Sequence, residues 1–539
     1  MVMRGSISEL HTTSVEILLR NPQTQTSVFS FNEDMLWAVE HDMYESSSSS
    51  LVLGLHNLLR APQERKDLLL SQRNPIIDDT LYIKGDYGAF NELVLRAKQA
   101  RELFLVIGPP GTGKTSFGLM SILREELLES DTNILLLSYT NRAVDEICSK
   151  LEEGDTPIDY VRIGSEISCE KKYKKNTLSN KFATCLRGKD VRNALLQTRV
   201  FCGTVTAVSS HAELFQLKHF DLAIIDESSQ ILEPHLATLF SASHKNKNAI
   251  SRFVFIGDHK QLPAVVQQSQ DDSAVSDEVL LNIGLTNCRN SLFERLLTQF
   301  KTDDGYDARY VYMLRNHARM HEEIAAFPNH AFYGDQLRAV PLPHQTLSNI
   351  DNHSDNGIIR LLTSHRLSFV ATTKPSHSLS PKTNTTEAEM IAATVVQVYE
   401  MTRDSFDASH TIGVIVPYRN QISTTRKAID HYGIDILHDI TIDTVERYQG
   451  SQRDYILYGF AVQYSYQLAF LTDNVFREGD TLIDRKLNVA MTRARLGMVL
   501  FGNPTILHLA PVFHEMIEFI RQHGAYYDVS SSIYLSTHF

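Results

Sequence analysis

Residues 108–115 read GPPGTGKT and lie between two segments of opposite backbone preference. The preceding run, LFLVIG from Leu103, is continuously apolar and has the length of a strand, whereas the following run has apolar side chains at helical spacing. A glycine-rich turn in this setting can wrap a phosphate with inward-pointing N–H groups. The sequence therefore predicts a phosphate-binding loop at the end of a buried strand. The helically spaced residues are Phe117, Met120, Ile122, Leu123 and Leu127.

The loop also contains the two side chains that phosphate chemistry requires. Lys114 would place its ammonium group on the β- and γ-phosphates, and Thr115 would offer a hydroxyl to Mg²⁺. An ordinary glycine-rich turn needs neither residue at these positions. The residues predicted to contact the nucleotide here are Gly108, Pro109, Pro110, Gly111, Thr112, Gly113, Lys114 and Thr115.

Ten apolar runs of strand length occur along the chain in two successive series, separated by helical stretches. Continuous rather than alternating apolar runs are typical of parallel strands that are covered on both faces. Two successive strand–helix series predict two α/β domains. The first series is LFLVIG (from Leu103), ILLLSYT (from Ile134), VFCGT (from Val200), LAIID (from Leu222) and FVFIGD (from Phe253). The second is LSFVATT (from Leu367), IGVIVPY (from Ile412), ITIDTV (from Ile440), YILYGFAV (from Tyr455) and MVLFGN (from Met498).

The chain of 539 residues is long enough for two or three domains. The polar stretch KTDDGYDAR from Lys301 is a candidate junction, and the serine run at 46–50 is predicted to be a flexible link. Thr386, with Glu389 three residues on, predicts a capping box at a helix start. The predicted organisation is an N-terminal extension at 1–85, a first domain at 86–300 with an insertion at about 151–199, a second domain at 310–525 and a C-terminal tail at 526–539.

Charge, hydropathy and cysteine content exclude several classes of protein. A net charge of −12 argues against a protein that coats DNA generally, but it allows a local nucleic-acid groove. No apolar run reaches membrane-spanning length, and the N-terminal residues lack the apolar core of a signal peptide. The cysteines are odd in number and form no C-x-x-C pair, which argues against metal and disulfide frameworks and suits a reducing cytoplasm. They are Cys148, Cys169, Cys185, Cys202 and Cys288.

A second acidic and polar set follows two of the apolar runs. Asp226 and Glu227 end the run LAIID, and the end of a strand beside a phosphate loop is where a magnesium-binding carboxylate belongs. Asp226 would hold the metal, and Glu227 would accept a proton from an attacking water. Gln261, after the run FVFIGD, is uncharged and could sense a γ-phosphate or that water by hydrogen bonding. A lone acidic pair would instead be an ordinary turn.

The order of these segments resembles superfamily 1 helicases of the 5′→3′ branch. The resemblance extends from about residue 86 to about residue 520 and looks closer to the helicase half of the Okazaki-fragment nuclease–helicase than to the nonsense-mediated-decay RNA helicase. The segments of the first predicted domain that carry it are GPPGTGKT, SYTNRAVDEI (138–147), CGTV (202–205), DESSQ (226–230) and GDHKQLP (257–263). Those of the second are ARMH (318–321), VPYRNQ (416–421), TVERYQG (444–450) and LNVAMTRAR (487–495).

The resemblance implies two tandem RecA-like P-loop NTPase domains with parallel sheets, which use ATP and Mg²⁺. It adds Arg319 and Arg493 of the second domain to the catalytic set of Lys114, Glu227 and Gln261. Guanidinium groups complement the charge that spreads over a transferring phosphoryl group. Either arginine could instead form a surface ion pair, and Arg495 serves as the comparison for that alternative.

The resemblance also implies single-stranded nucleic acid as the partner, with DNA favoured over RNA. Hydroxyl and amide groups suit phosphate contacts that are made and broken at each step. Tyr418 could stack on a base or could be a core tyrosine. The lysine-rich run KKYKKNTLSNK at 171–181 is either a further contact surface or a solvated face. The residues implied to contact nucleic acid are Thr140, Asn141, Thr204, Pro417, Tyr418, Gln421 and Thr444.

Three positions depart from the family pattern around the nucleotide. Ala318 replaces a tyrosine that stacks on adenine in relatives, and Asn91 matches by spacing a glutamine that reads adenine. Gln452 lies two residues after the glycine of TVERYQG, at a position where relatives usually have an acid. These changes put the choice of ATP over other nucleotides in question but do not affect phosphate or metal chemistry. The further residues implied to bind the nucleotide are Asn91, Gln449, Gly450 and Gln452.

Three functions are compatible with this sequence. The leading hypothesis is an ATP-driven translocase that unwinds nucleic acid in the 5′→3′ direction, in the cytoplasm or at a bacterial nucleoid. The second is a nucleic-acid-stimulated ATPase that remodels protein–nucleic-acid complexes without unwinding. The third is a nucleotide-gated binding module. Residues 1–85 are too few for the barrel and nuclease domains that precede the motor in relatives, so we expect either a bare motor or a fragment of a longer protein.

Overall fold

The structure is a computed structural model that describes residues 3, 5–19, 38–40, 46–154, 156–185, 187–349, 356–374 and 380–528. The fold divides into two compact units, and each is described by itself. The smaller unit consists of the described residues of Met1–Leu69, Asn133–Asp221 and Pro234–Ile250. The larger unit consists of those of Leu70–Thr132, Leu222–Glu233 and Ser251–Phe539.

Two large sheets, of seven and six strands among the described residues, dominate the architecture. The strands of the first are β1 (Leu103–Ile107), β2 (Ile134–Ser138), β3 (Tyr160–Ile163), β4 (Val200–Thr204), β5 (Phe220–Ile225), β6 (Ile250–Gly257) and β7 (Val311–Met313). Those of the second are β8 (Leu367–Ala371), β9 (Ile412–Ile415), β10 (Thr441–Asp443), β11 (Arg453–Gly459), β12 (Ala494–Gly502) and β13 (Ala525–Tyr527).

The strand pairs within each unit are parallel. In the larger unit, β1 pairs with β6 and β7, with Leu105 opposite Phe255 on one side and Val311 on the other. In the smaller unit, β4 pairs with β2 and β3, so that Phe201 lies opposite both Leu135 and Val161. The second sheet, in the larger unit, has the order β10-β9-β11-β12-β8-β13 and is parallel throughout.

All ten apolar runs form strands, and the predicted α/β class with two parallel sheets is confirmed. The sequence did not predict β3, β7 and β13, which have only 4, 3 and 3 residues. These short strands lie at sheet edges and include polar or aromatic residues that are not part of a long apolar run.

Helices cover both faces of the second sheet. Alternate residues of its strands enter two separate cores: Phe369 and Leu500 lie in one, and Val370 and Phe501 lie in the other. This two-sided burial explains the continuous apolar runs within its longer strands. The α-helices are α1 (Ser46–Arg60), α2 (Gln63–Leu69), α3 (Asn91–Gln99), α4 (Met120–Leu127), α5 (Asn141–Glu152), α6 (Leu178–Lys181), α7 (Gly188–Gln197), α8 (Val205–Ser209), α9 (Glu213–Leu217), α10 (Glu233–Ser241), α11 (Glu278–Asn282), α12 (Leu292–Gln299), α13 (Glu322–Tyr333), α14 (Gly357–Ser364), α15 (Thr385–Thr402), α16 (Arg419–Asp430), α17 (Val445–Tyr448), α18 (Leu468–Leu471), α19 (Arg485–Met491), α20 (Pro504–Leu507) and α21 (Pro511–His523).

Short ribbons and single helical turns complete the fold. The two-stranded ribbons pair Gly5–Leu10 with Val15–Leu19, Ser243–His244 with Lys247–Asn248, Lys301–Thr302 with Gly305–Tyr306, Asn316–His317 with Arg338–Ala339 and Val475–Glu478 with Thr481–Asp484. In the part of the chain that the structure describes, no helix combines the length and the apolar character needed to cross a bilayer.

Local predictions at three chain segments differ from the structure. The serine run at 46–50 begins α1 rather than forming a link, because the apolar residues that follow it continue as a helix. The cap of α15 is Asn384, whose side chain accepts a hydrogen bond from the Glu387 amide, rather than Thr386. The predicted tail at 526–539 begins inside β13, and its residues 529–539 lie outside the described residues. The predicted domain limits stay a prediction.

Candidate nucleotide site

The glycine-rich loop joins β1 to a helical segment that begins at Lys114 and continues as α4. Gly111 and Gly113 have φ angles of 76° and 74°, in the left-handed region that favours glycine. A Cβ atom at Gly111 would lie 2.6 Å from the Cβ of Arg319, so only glycine allows this close approach. The sequence prediction of a strand, a wrapped loop and a helix is therefore met by the backbone itself.

Lys114 of the loop pairs with the predicted general base. Its Nζ lies 2.6 Å from Oε1 of Glu227, and both side chains are largely shielded from solvent. The second carboxylate oxygen of Glu227 accepts a hydrogen bond of 3.2 Å from Gln230. Glu227 itself has a φ of 53°, an uncommon value for a residue with a side chain. Two partners and a strained backbone fix the orientation of this carboxylate.

Thr115 and Asp226 form the second charged contact of the site. The Thr115 hydroxyl donates to Oδ2 of Asp226 over 2.6 Å, while Oδ1 accepts from the Glu227 amide over 2.8 Å. Both side chains are buried. Asp226 directly follows β5, and Thr115 lies in the helical segment after the loop. Hydroxyl and carboxylate oxygens are the ligands that Mg²⁺ prefers, so this pair fits a magnesium site.

Burial and mutual charge set the ionisation of these groups. Burial disfavours the Lys114 ammonium, but Glu227 and Asp226 outweigh that effect and raise the pKa of Lys114 above its usual value. Burial alone would raise the pKa of Glu227, but the charge of Lys114 lowers this pKa below its usual value. Burial raises the pKa of Asp226. The lysine is therefore cationic and Glu227 ionised at neutral pH, as a proton acceptor must be.

Gln261 and Arg493 meet inside the same buried region. Arg493 Nη2 donates to Oε1 of Gln261 over 3.1 Å, and Gln261 Nε2 donates to Asp258 Oδ2 over 2.8 Å. Burial, followed by the charge of Arg319, lowers the pKa of Arg493 to about 9. The guanidinium remains charged at neutral pH, and one hydrogen bond connects it to the predicted γ-phosphate sensor. Arg493 is thus buried and is not a surface ion pair.

Asp258 extends this contact into a network that the sequence analysis missed. Its Oδ2 also accepts a hydrogen bond of 2.7 Å from the Tyr333 hydroxyl, which in turn accepts one of 2.9 Å from Asn488. Tyr333 and Asn488 belong to α13 and α19, far from Gln261 in the chain. The only sequence signal for this network is that Asp258 lies in GDHKQLP and Asn488 in LNVAMTRAR. The spacing of these residues does not predict what either one contacts.

Arg319 approaches the loop from a different segment. The Ala318 amide donates to the Gly111 carbonyl over 2.9 Å, and Arg319 Nε donates to Gln452 Oε1 over 2.9 Å. A neutral amide at position 452 accepts this bond without cancelling the charge of Arg319, which a carboxylate would do. Arg495, the comparison residue, instead forms a partly exposed ion pair with Asp454 over 2.7 Å.

The residues predicted to recognise the base are placed differently. The Asn91 side chain accepts from the Tyr87 amide over 2.6 Å and donates to Asp86 over 2.9 Å, so it closes the turn ahead of α3. Ala318 is exposed. A pair that the sequence analysis did not single out for this purpose lies beside the loop: Phe117, 60% exposed, stacks on Phe90 with ring centroids 5.8 Å apart.

The segment around Gly450 supplies a polar group that points to a ligand. Gly450 has a φ of 76° and forms the turn that ends α17. Within the described residues, the buried Nε2 of Gln449 has no hydrogen-bond partner. A buried donor without a partner is costly, so Gln449 is suited to bind an acceptor on a nucleotide.

The predicted nucleic-acid contacts in the smaller unit lie at the carboxyl ends of neighbouring strands. Ser138 and Thr204 are paired in register at the carboxyl ends of β2 and β4. Thr140 and Thr204 cap α5 and α8, since their hydroxyls accept from Ala143 and Ala207 amides. Asn141, the first residue of α5, is half-buried. The three predicted residues Thr140, Asn141 and Thr204 thus stand at helix N-termini, which favour phosphate.

The predicted contacts in the larger unit are less accessible than expected. Tyr418 is only 8% exposed, and Phe470 covers its ring at a centroid distance of 5.3 Å. Gln421 is buried, and its amide exchanges hydrogen bonds of 2.7 and 2.9 Å with the Asn384 backbone. Pro417 and Thr444 are half-buried. Tyr418 and Gln421 are therefore already engaged within the protein.

The lysine-rich run at 171–181 is folded rather than a solvated loop. It forms a turn of 3-10 helix, Lys171–Asn176, and then α6, anchored by the buried Tyr173. Three of its lysines form ion pairs: Lys172 with Glu170 over 3.3 Å, Lys175 with Glu152 over 3.2 Å and Lys181 with Asp159 over 2.5 Å. These pairs reduce the positive charge that the run presents.

Comparisons with known proteins place the chain in a family. Two family models, both described as an AAA domain, match residues 288–505 and residues 90–190 and 170–269. The "DNA replication ATP-dependent helicase/nuclease JHS1" of Arabidopsis thaliana is 26% identical over 97% of this chain and 37% of its own length. The "DNA polymerase alpha-associated DNA helicase A" of Saccharomyces cerevisiae is 26% identical over 93% of this chain and 79% of its own.

A third relative, the "Regulator of nonsense transcripts 1" of Dictyostelium discoideum, is 26% identical over 78% of this chain and 31% of its own length. The chain therefore spans less than half of the Arabidopsis and Dictyostelium relatives. The two AAA matches together cover both strand–helix series, and the matched residues include the loop, the acidic pair and both arginines. By these matches and the ordered motifs, the chain belongs to the superfamily 1 helicases.

Proposed function

We propose that the chain is a nucleic-acid-dependent ATPase that moves along single strands in the 5′→3′ direction and separates duplexes, with DNA as the favoured substrate. The observation that carries this proposal is the convergence of Lys114, Glu227 and the Gln261–Arg493 pair in one buried set of contacts. Charge complementarity to a triphosphate is the physical basis, because phosphoryl transfer depends on positioning and electrostatics.

Each residue of the set has a separate task in hydrolysis. Lys114 and the loop amides hold the phosphates, and the ionised Glu227 takes a proton from the attacking water. Thr115 and Asp226 would hold Mg²⁺, which supplies positive charge to the phosphate oxygens. Gln261 orients the water or the terminal phosphate through its amide. The contacts of Glu227 with Gln230 and of Gln261 with Asp258 fix these orientations.

The two arginines provide the coupling to movement. Arg319 and Arg493 belong to the second predicted domain, at 310–525, whereas the loop and Glu227 belong to the first, at 86–300. If hydrolysis needs both sets together, each ATP cycle is tied to a relative movement of the two predicted domains. Nucleic acid held by both domains would then be drawn along. The cytoplasm, or the nucleoid of a bacterial cell, is the compartment we propose.

The preference for DNA rests on the relatives. The Arabidopsis and Saccharomyces relatives carry the word DNA in their printed names, and both align along more than nine-tenths of this chain. Contacts from helix N-termini at Thr140 and Thr204 would be made to phosphates, so binding should not depend on sequence.

ATP hydrolysis by the purified chain, measured alone, with single-stranded DNA and with single-stranded RNA, tests the proposal. We expect stimulation by DNA to exceed stimulation by RNA. Strand displacement from a duplex with a 5′ single-stranded tail then separates a helicase from an ATPase that only remodels complexes. Stimulated hydrolysis without displacement would support the remodelling ATPase, and nucleotide binding without turnover would support a nucleotide-gated binding module.

A further inference from the structure

An exposed aromatic surface lies next to the predicted nucleic-acid contacts of the larger unit. It consists of Tyr464, Tyr466 and Phe470, which are 40%, 65% and 45% exposed. Large aromatic side chains are usually buried, and three exposed ones within seven residues indicate a surface that binds something. No family motif described above includes these residues.

The rings stack in two pairs, and Tyr466 is the most exposed of the three. Tyr464 and Tyr466 are stacked, with centroids 5.6 Å apart and planes 20° apart. Phe470 stacks on Tyr418 at 5.3 Å and 24°. Tyr418 was the residue expected to meet a base, but Phe470 covers it. Phe470 is partly exposed, but Lys486 Nζ lies 4.4 Å from its ring centroid, so the most open ring of this surface is that of Tyr466.

A single buried glutamine holds this surface in place. The Gln467 carbonyl oxygen accepts hydrogen bonds from the Gln463 amide over 2.8 Å and the Tyr464 amide over 3.0 Å. Its Nε2 donates to the Pro381 carbonyl over 2.9 Å and to the Tyr418 hydroxyl over 3.4 Å. These bonds fix the backbone at Tyr464 and the Tyr418 ring on which Phe470 stacks before a ligand arrives, which reduces the entropy cost of binding.

Lysine ammonium groups lie against two of the three rings. Lys374 Nζ donates to the Tyr464 hydroxyl over 2.9 Å and lies 4.1 Å from the centroid of that ring. Phe470 and Pro417, a predicted nucleic-acid residue, line the same small groove together with Glu446 and Lys486. Lys486 pairs with Asp473 over 2.8 Å. Aromatic faces interleaved with a lysine are the arrangement by which proteins stack bases and track phosphates of single strands.

We propose that Tyr464, Tyr466 and Phe470 form a stacking surface for the bases of single-stranded nucleic acid. This proposal rests on the proposed function and adds to it the contact with the bases. Stacking on aromatic rings does not distinguish one base from another, because every base has a π-face. The surface thus holds a strand without imposing sequence preference, as a translocating enzyme requires.

The test measures the affinity of the full chain for a fluorescent single strand and for the same strand with abasic sites. Changing Tyr464→Ala and Tyr466→Ala together should weaken binding of the intact strand about tenfold and leave binding of the abasic strand unchanged. The conservative change Tyr466→Phe should retain wild-type affinity. Hydrolysis of ATP without nucleic acid and the thermal unfolding midpoint should not change, because neither tyrosine lies in the nucleotide site.

The matched control is Tyr432→Ala. Tyr432 is also exposed, at 37%, but it follows the C-terminal end of α16, about 20 Å along the helix from Tyr418. Equal loss for intact and abasic strands, or no loss at all, would overturn the stacking proposal while leaving the proposed function in place. Unchanged strand affinity together with loss of a protein partner would assign the surface to protein docking. A wild-type chain that binds no single strand would overturn both proposals.

Discussion

The nucleotide site and the predicted nucleic-acid contacts of the larger unit differ in what their polar side chains already bind. At the candidate nucleotide site, Lys114 and Glu227 form an ion pair. The lysine has the positive charge that a phosphate requires, and the glutamate has the negative charge that a proton acceptor requires. Among the predicted nucleic-acid contacts, both polar atoms of the Gln421 amide already form hydrogen bonds with the Asn384 backbone. Sequence motifs thus predict the residues of a phosphate site more accurately than they predict which side chains are free to contact nucleic acid.

The physical reason lies in the two kinds of ligand. A triphosphate needs a fixed set of charges at fixed distances, so the residues are specified by local spacing in the chain. A moving strand needs weak contacts that many polar or aromatic side chains can provide. Single substitutions should therefore cost more activity at the candidate phosphate site than at the predicted nucleic-acid contacts, and the following predictions test that difference.

Lys114→Ala should have the largest effect. Removal of the ammonium leaves the carboxylate of Glu227 buried without its main partner and takes the cation from the phosphates. We expect hydrolysis to fall to background and nucleotide affinity to fall as well, in steady-state turnover and in binding of a fluorescent nucleotide. Lys98→Ala, which removes another buried lysine that pairs with Glu125, controls for loss of a buried charge. Turnover of this variant at the wild-type rate would show that Lys114 does not bind the nucleotide phosphates.

Glu227→Gln should separate binding from hydrolysis. The amide keeps the size of the side chain but cannot accept a proton, so hydrolysis should fall at least about a hundredfold while ATP still binds. The variant should retain a complex with ATP and a single strand in a gel-shift or anisotropy measurement. Gln230→Ala should cause a smaller loss, since Gln230 only orients Glu227. Near-normal turnover of Glu227→Gln would assign the base to another group.

The two arginines and their neighbour form an internal comparison. Arg319→Ala and Arg493→Ala should each lower kcat by about a hundredfold or more with little change in ATP affinity, because they act on charge that develops in the transition state. Arg495→Ala should be mild, because Arg495 pairs with Asp454 at a partly exposed position. Equal losses of kcat in all three variants would show that the assignment within TRAR is wrong.

The sequence predicted both sheets, and several residues that it assigned to a candidate nucleotide site lie in contact in the structure. The features that it did not predict share a cause. Strands buried on both faces carry continuous apolar runs, so ten were identified, whereas the short β7 and β13 have no such signal. Tyr333 and Asn488 join the network only through tertiary contact with Asp258 and with each other. The covering of Tyr418 by Phe470 likewise depends on residues 52 positions apart, as the numbering shows. Local patterns predict what local spacing determines.

Nucleotide choice is expected to be relaxed. Ala318 offers no ring, and Asn91 is bonded within its own turn, so neither provides strong selection for adenine. The kcat/KM values for ATP and GTP should differ by less than about tenfold, since stacking on an aromatic is worth about 1–3 kcal/mol. Phe117→Ala should lower both values together if that exposed ring meets the base. A strong preference for ATP would show that another residue reads adenine.

The lysine-rich run should give the smallest effect. Changing Lys171, Lys172, Lys174 and Lys175 together to Ala should weaken strand binding uniformly across sequences, and ATP hydrolysis without nucleic acid should not change. For single strands, each phosphate contact contributes about 0.7 to the slope of log affinity against log salt. The slope should become shallower by less than the contribution of four phosphate contacts, because Lys172 and Lys175 already pair with glutamates.

Lys245→Ala with Lys247→Ala is the control for that measurement, since both are exposed lysines of the same unit outside the run. If the run contacts the strand, its variant should flatten the salt slope more per charge removed than this control does. An equal change per charge would mean that the run acts only through net charge. The contacts of the smaller unit would then be limited to the helix N-termini at Thr140 and Thr204, where backbone amides and hydroxyls can bind phosphate without any lysine.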